Sequence, residues 1–404
     1  MNATLIQIVS EETMPNLLAA MAIKPERIVH LCTSSMADAS AALERAYGQA
    51  NVKTVVDTCM IGDNPDIVEM SDSARKAIAD YGSPVVNLTG GTKLMSIGAY
   101  VAATRAGTTS LYVDTAAGRF VDGLSGGNFK SLFPDGTEVT RVSKQLTVNS
   151  ITTANGVERV TGGKPWKNYS TLAELLLGDL RMEQKCHDVV SDKIKGEPRP
   201  FQQAQAYFRK LYSRPLPIPG ELGMAAVSAG LLEERGGVCY PAPRWLDALN
   251  GLDFSGRKIP GSLIYSALNE ARWPFAFFNG NWWEIAVMRY LSKRNRYRDL
   301  RWSVDAGSRF GSSTDMEEDI LGVDGVNLLY VSCKRGGDKA KLSRVLEDVN
   351  SSARRLGGKF AHKMLAVFVD LQGMQRTRLV NRCKELHIEL LDRAAVASAY
   401  GSSW

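Results

Sequence analysis

Cysteine and histidine are scarce in this 404-residue chain, with six cysteines at positions 32, 59, 186, 239, 333 and 383 and four histidines. No two cysteines form a Cys-x-x-Cys pair, so a zinc site is not expected and reduced thiols are the default. No run of about 18 apolar residues exists, so no transmembrane helix is predicted, and no membrane partner is expected. The opening Met1-Asn2-Ala3-Thr4-Leu5 lacks a basic n-region, so no signal peptide is expected and a cytoplasmic location is. The net charge of +6 permits a polyanionic partner without requiring one. What is present is ordinary for a globular protein, 44% apolar and 23% charged, at a length that suits two or three domains.

The most informative stretch is Val85-Val86-Asn87-Leu88-Thr89-Gly90-Gly91-Thr92-Lys93-Leu94-Met95. An apolar run meets a Thr-Gly-Gly-Thr-Lys turn, and a helix rich in small residues follows. A strand ending in glycines before a helix N-terminus aims backbone N–H groups at one point, which suits phosphate or ribose oxygens. Lys93 adds a mobile positive charge, and Thr89 and Thr92 add hydroxyls. The Walker spacing GxxxxGK[ST] is absent, so this is not a P-loop. A plain glycine-eased turn is the alternative reading.

Residues 4–115 alternate strand and helix signals, with strands expected at 4–10, 27–34, 53–61, 84–89 and 109–115 and helices near 12–22, 36–49, 65–80 and 93–106. Near-continuous apolar strands between helices argue for a parallel sheet covered on both faces, an α/β Rossmann-like domain. Ligands of such sheets sit at the carboxyl ends of the strands. Those ends carry Ser10 and Glu11, then Cys32-Thr33-Ser34-Ser35, the TGGTK turn, and Asp114-Thr115. Serine and threonine there are also ordinary helix caps.

The turn resembles the NxTGGTKxM signature of the CRISPR-associated Rossmann-fold (CARF) sensor domain, with Asn87, Thr89, Gly90, Gly91, Thr92, Lys93 and Met95 all matching. The resemblance implies a homodimer that binds a cyclic oligoadenylate, with cyclic tetra-adenylate the ring that best suits a two-fold pair of loops. It implies a ligand-binding set of Ser10, Glu11, Thr33, Ser34, Ser35, Asn87, Thr89, Gly90, Gly91, Thr92, Lys93, Met95, Asp114 and Thr115, within a sensor domain spanning 1–150.

A connector is expected over 151–270. A hairpin turns at Ala116-Ala117-Gly118, a Ser125-Gly126-Gly127-Asn128 patch follows, and Gln145–Val160 reads as a strand or crossing arm. Helices are expected over Leu172–Val189 and Phe201–Leu211, with a proline cluster at 215–219. Glu221–Tyr240 suits a helix leading into a wing, although no basic recognition helix accompanies it, and a structural spacer is the plainer reading.

The third region, 271–404, holds four features at recognisable spacing. A helix beginning near Trp282-Trp283-Glu284 carries one carboxylate in its first turn. Met316-Glu317-Glu318-Asp319 enters an apolar strand, and Asn327–Lys334 is its hairpin return. A helix near 338–356 and a strand at Lys363–Leu371 complete the set. This layout resembles the PD-(D/E)xK nucleases, and it implies Glu284, Asp319, Ser332 and Lys334 as the catalytic positions. Carboxylates across a hairpin share a divalent metal, and side chains two apart on a strand face the same way. The expected ligands of manganese or magnesium are Glu284, Asp319 and the carbonyl of Cys333. The metal would acidify a water, and Lys334 would position it or offset transition-state charge.

Ser332 departs from the family, which has an acid there. A serine is a poor ligand for a hard cation. The site therefore binds metal more weakly and still cuts, or recruits Glu317, Glu318 or Asp338, or is dead. Basic residues flank it, at Arg289, Lys293, Arg294, Arg296, Arg298 and Arg301 with Tyr290, Tyr297 and Trp302 between, and again at Lys334, Arg335, Lys339, Lys341 and Arg344. They suit phosphate contacts and base stacking, or simply a solvated face. The Leu356–Phe360 turn reads as a loop able to shut over substrate. Sensor, connector and nuclease in this order resemble the CARF-nuclease effectors of type III CRISPR defence. The implied activity is a cyclic tetra-adenylate-activated, metal-dependent endonuclease acting on single-stranded RNA, DNA or both. The alternative is a CARF-regulated nucleic-acid-binding or transcription-regulating protein with an inactive nuclease fold.

Overall fold

A computed structural model describes residues 3–123, 129–133, 139–194, 203–252, 259–307, 316–336, 339–368 and 373–400. The N-terminal sheet contains β1 (Thr4–Ile8), β2 (Arg27–Cys32), β3 (Val55–Met60), β4 (Val85–Asn87), β5 (Ser110–Asp114) and β6 (Arg119–Asp122), in the order β3-β2-β1-β4-β5-β6. All neighbours are parallel except β5–β6, the expected hairpin. Helices α1 (Met14–Ile23), α2 (Ala37–Gln49), α3 (Ile67–Asp80) and α4 (Lys93–Ala106) cover its faces. The sequence thus places every one of these elements to within a few residues, because short apolar runs alternate with helical segments between clear turn and cap residues.

Short helices α5 (Phe129–Leu132) and α6 (Val139–Ser143) lead to α7 (Val148–Ala154). Gln145–Val160, expected as a strand or crossing arm, therefore carries a helix at its centre and begins a strand only at Val160. Thr147 caps α7 by accepting the Ser150 N–H at 3.1 Å, and Val148, Ile151 and Ala154 are all buried. Tertiary burial overrides the β-branched composition here. The Ser125–Asn128 patch lies outside the described residues.

The next strand, β7 (Val160–Gly162), belongs to the second sheet, pairing antiparallel with Val304–Ala306. The middle region is helical: α8 (Ser170–Gly178), α9 (Leu180–Ile194), α10 (Ala204–Tyr212) and α11 (Gly220–Ser228). The single helix expected over 172–189 breaks at Asp179, whose carboxylate accepts the N–H groups of Arg181 and Met182. The hairpin β8 (Leu232–Arg235) and β9 (Val238–Pro241) follows α11 as the expected wing, then α12 (Asp247–Asn250) and α13 (Gly261–Ala276).

The second sheet adds β10 (Tyr297–Ala306), β11 (Met316–Asp324), β12 (Asn327–Lys334), β13 (His362–Val367) and β14 (Ile388–Asp392), ordered β14-β13-β12-β11-β10-β7. Pairs from β7 to β12 are antiparallel, and β12–β13 and β13–β14 are parallel. Its helices are α14 (Trp282–Ser292), α15 (Lys339–Gly357), α16 (Gly373–Glu385) and α17 (Arg393–Ser398). Between α13 and α14 the chain kinks through Phe277–Asn281, where Gly280 at φ 152° adopts a backbone that a side chain would resist.

One apolar core runs from β1, α1 and α2 through α6 and α7 to α15 and one face of the second sheet. A second core lies on that sheet's other face, beneath α8 and α14. The two halves of the chain are thus joined by shared packing, with α7 at the junction.

Candidate sensor rim and candidate catalytic centre

The carboxyl ends of β1, β2, β4 and β5 lie along one edge of the first sheet. The glycine turn is pressed against β1. A side chain at Gly90 would place its β-carbon 2.0 Å from the Ile8 carbonyl oxygen, and Gly91 has φ +78°. Only glycine fits either place. Thr92 caps α4, accepting the Met95 N–H at 3.3 Å, and the Ser96 hydroxyl donates to the Gly90 carbonyl at 3.0 Å. Thr92 and Lys93 are exposed at the helix start, where the backbone field favours an anion.

Asn87 is not on that exposed rim. It is fully buried, its amide nitrogen donating to Gln7 at 3.2 Å and Asn16 at 3.3 Å, while its oxygen accepts the Thr89 N–H and hydroxyl. Thr89 in turn accepts the Val113 N–H at 2.7 Å. These two residues hold the turn from beneath, because each polar atom is already paired inside the domain. Met95 is buried likewise. Asp114 accepts the Ala117 N–H and serves the hairpin. Thr33 pairs with Ser35 at 3.0 Å, and Ser34 donates twice to Asp63, which the sequence reading had not singled out. Ser10 is half-buried, donating to the Glu12 carbonyl at 3.4 Å.

Glu11 and Ser35 line a cavity of about 360 Å³ between the two halves, with Glu12 and Asp38 on their wall and Arg354, Arg355 and Lys359 opposite. Thr115 lines a smaller cleft beside Phe360. The Leu356–Phe360 turn therefore faces the sensor. It adjoins Asn327 at the start of β12, and Lys334 ends that strand roughly 23 Å away at 3.3 Å per residue. It cannot close over the carboxylate centre.

That centre gathers on Asp319. One carboxylate oxygen accepts the Cys333 N–H at 2.6 Å, the Ser332 hydroxyl at 3.3 Å and the Lys334 ammonium at 3.5 Å. The ladder pairs Trp302 with Ile320 and Val304 with Glu318, yet Trp302 and Ile320 enter the core under α14, whereas Val304 enters the core against α15. Ser303, at φ +52°, and Asp319 occupy the irregular step between. That twist sends Glu318 to the α15 side, where it accepts from Arg355 at 2.7 Å and Tyr330 at 2.9 Å. Glu318 is thereby removed as a substitute ligand. Glu317 stays on the other face, held by Ser303 and lying 3.6 Å from Lys164. Asp338 lies outside the described residues.

Glu284 sits in the first turn of α14 and accepts from the Trp302 indole at 2.8 Å. Burial raises its pKa well above the usual carboxylate range, and the Asp319 charge adds to this. For Lys334, burial opposes the charge, but the Asp319 carboxylate outweighs it and the pKa is raised. Burial likewise pushes the Cys333 thiol up. Among the described residues the Asp319 carboxylate is matched by the Lys334 ammonium, and the oxygens of Asp319 and of Glu284, once it gives up its proton, suit a hard divalent cation. Among the described residues no group of three or more His, Cys, Asp or Glu side chains is placed to hold a metal, so any cation here relies on Glu284, Asp319, the Cys333 carbonyl and water.

The larger basic cluster is not beside this centre. Arg289 pairs with Glu174 at 2.5 Å, Arg296 with Asp324, Arg301 with Asp299, and Arg298 donates to the Ser143 and Gly325 carbonyls. Trp302 is fully buried. Arg335 is bound to Glu183 at 2.7 and 3.0 Å, tying α9 to the end of β12. Lys334 keeps two fifths of its side chain exposed. The sequence reading missed Trp302 as the partner of Glu284 and Arg355 as that of Glu318, since both pairings span the fold.

Residues 4–148 match the family model of the Card1 CARF domain. Two solved structures share the architecture of the whole chain. Can2 from Sulfobacillus thermosulfidooxidans, solved in complex with cyclic tetra-adenylate, superposes with a TM-score of 0.66 at 16% identity, covering 99% of this chain and 96% of its own. Protein VC1899 from Vibrio cholerae gives 0.69 at 15% identity, over 98% and 96%. At such identity the likeness shows the fold. No curated protein sequence matches the chain.

Proposed function

We propose that this protein is a type III CRISPR effector in which a CARF domain senses cyclic tetra-adenylate and the second sheet carries a metal-dependent endonuclease for single-stranded RNA or DNA. The observation that carries the reading is the convergence of Ser332, Cys333 and Lys334 on one oxygen of Asp319 beside buried Glu284. The CARF match over 4–148 and the whole-chain likeness to a protein solved with that cyclic nucleotide support the sensor half.

Two chains would present two Thr92–Lys93 turns to one ring. Leu94, Ile97 and Tyr100 expose 49%, 46% and 43% of their surface on α4 next to Lys93, and an apolar face of this kind suits a two-fold contact. In the nuclease, Glu284, Asp319 and the Cys333 carbonyl would hold the cation, which when bound polarises the scissile phosphate and acidifies a water. Lys334 donates to the phosphate oxygens as charge builds on them. The water oxygen bonds to phosphorus as it gives up a proton to solvent, the P–O bond to the leaving strand breaks, and the departing oxygen takes a proton from solvent. Coupling runs through the shared core and the cavity wall, because Arg355 lines that wall and also grips Glu318, the neighbour of Asp319.

Ser332 in place of a carboxylate favours the second reading, a regulated binding module that does not cut. Incubating the purified chain with labelled single strands, manganese and cyclic tetra-adenylate separates the two. Metal- and activator-dependent cleavage is expected, and tight strand binding without any cleavage would establish the second reading.

A further inference from the structure

A cavity of about 500 Å³ opens beside the carboxylate centre, and neither half of the proposed function uses it. Tyr265, Asn269 and Trp273 line it from successive turns of α13, spaced four residues apart and so on one helix face. Trp245 forms another wall and fully buried Trp302 the floor. The Lys164 ammonium lies over Trp273 and Trp302, 5.2 and 6.0 Å from their ring centres. One contact and one chain neighbour tie the cavity to the chemistry. Trp302 donates to Glu284, and Glu317 on the cavity wall stands two residues before Asp319.

The volume lies in the range of small-ligand pockets. Tyr265 leaves 61% of its surface exposed at the mouth, so its ring is open to a stacking partner. Charge decides what enters. The lining carries Lys164 against Glu270, Asp305 and Glu317, a net negative wall that repels phosphate. A planar, uncharged group with hydrogen-bonding edges meets no such repulsion and gains from the aromatic walls. We propose that this cavity takes one unpaired nucleobase of the substrate strand, next to the phosphate that Lys334 would contact at the Glu284–Asp319 centre. A paired base is already stacked within its duplex and cannot enter, so the cavity selects single strands. The role of the strand rests on the nuclease reading, while its binding does not.

The test uses the full chain without metal and a single-stranded oligonucleotide containing 2-aminopurine, whose fluorescence is quenched on stacking. Quenching is expected with the natural chain. Tyr265→Ala should bind about 5- to 100-fold more weakly and restore the fluorescence, as expected for loss of one base–aromatic stack. Tyr265→Phe should behave as the natural chain, and neither change threatens folding because the residue is exposed. Unchanged binding by Tyr265→Ala, or strand binding without quenching, overturns the proposal. So does self-association that Tyr265→Ala abolishes without any quenching, which would give the cavity to a second copy. A chain that quenches but never cleaves with any metal sinks the nuclease reading alone. One that cleaves, with Tyr265→Ala binding and cutting unchanged, sinks the cavity alone.

Discussion

The two halves bury polar groups in opposite ways. The sensor core holds a neutral network. Gln7 donates to Tyr47 at 2.9 Å, and His30 lies 2.7 Å from Ser40 and 2.9 Å from Tyr47. Burial lowers the His30 pKa to about 4, so the ring is uncharged near neutrality. Asn87 extends this network to the glycine turn through Gln7. The rest of the chain buries ionisable groups instead: Glu183 under Arg335, Glu318 under Arg355, and Glu284, whose pKa burial raises and which accepts from the Trp302 indole. A neutral network holds a loop at fixed geometry under all ionic conditions. Buried charges make a structure depend on whether each counter-charge is present. The difference gives rigidity to the proposed ligand platform and conditional stability to the half proposed to carry the catalytic centre.

The sharpest way to break it is to remove one counter-charge. Arg355→Leu leaves Glu318 buried without its counter-charge, with the Tyr330 hydroxyl still donating to it, and should cost about 3–5 kcal/mol in urea unfolding. Adding Glu318→Leu should recover most of that. If the single change is neutral, the pair is not what holds α15 to β11. Next, Asp319→Ala and Lys334→Ala should each lower cleavage by at least about 10²-fold, equivalent to 2.7 kcal/mol or more, with circular dichroism unchanged. Ser332→Glu should tighten manganese binding in calorimetry. Loss of both metal binding and activity in that folded variant would show the hairpin to be assigned in the wrong register.

The sensor should respond less. Lys93→Ala removes a charge-assisted contact and should weaken cyclic tetra-adenylate binding by about 1.5–3 kcal/mol, read by calorimetry. An unchanged affinity would remove Lys93 from the rim. The smallest effect concerns His362, which lies 2.7 Å from Asp324 and 3.0 Å from Glu389. Hydrogen bonds to Asp324 and then to Glu389 raise its pKa to about 9. A folded-state pKa above the unfolded value stabilises fully below about pH 6.5, and that contribution is lost as pH rises through about 9. His362→Gln should therefore cost about 1–2 kcal/mol at pH 6, discounting for the half-exposed Glu389, and nearly nothing at pH 10. A pH-independent difference in thermal melting would mean that the imidazolium is not the source.

Legibility followed the range of the interaction. The Gly90-Gly91 turn could be read directly, since its requirement is local backbone geometry and the approach to Ile8. Glu284, Asp319 and Lys334 could be ordered along the chain by the spacing of helix and hairpin. The pairing of Arg289 with Glu174, 115 residues apart, could not, and a row of cations that looked ready for phosphate is engaged within the protein. The short helix α7 was likewise hidden, because its Val148 and Ile151 suit a strand until burial between the two halves settles the matter.

By itself, the sequence determined the alternation of strand and helix, the glycine turn and the order of the acidic and basic residues, all of which depend on neighbours a few positions away. The tertiary structure decided which side of β11 each acid faces, through the irregular step at Ser303 and Asp319. It also brought Lys164, Trp245, Tyr265 and Trp302 around one cavity, from four segments with no periodic relation. Charge pairing and cavity formation sum over contacts distant in the chain, so no local pattern carries them.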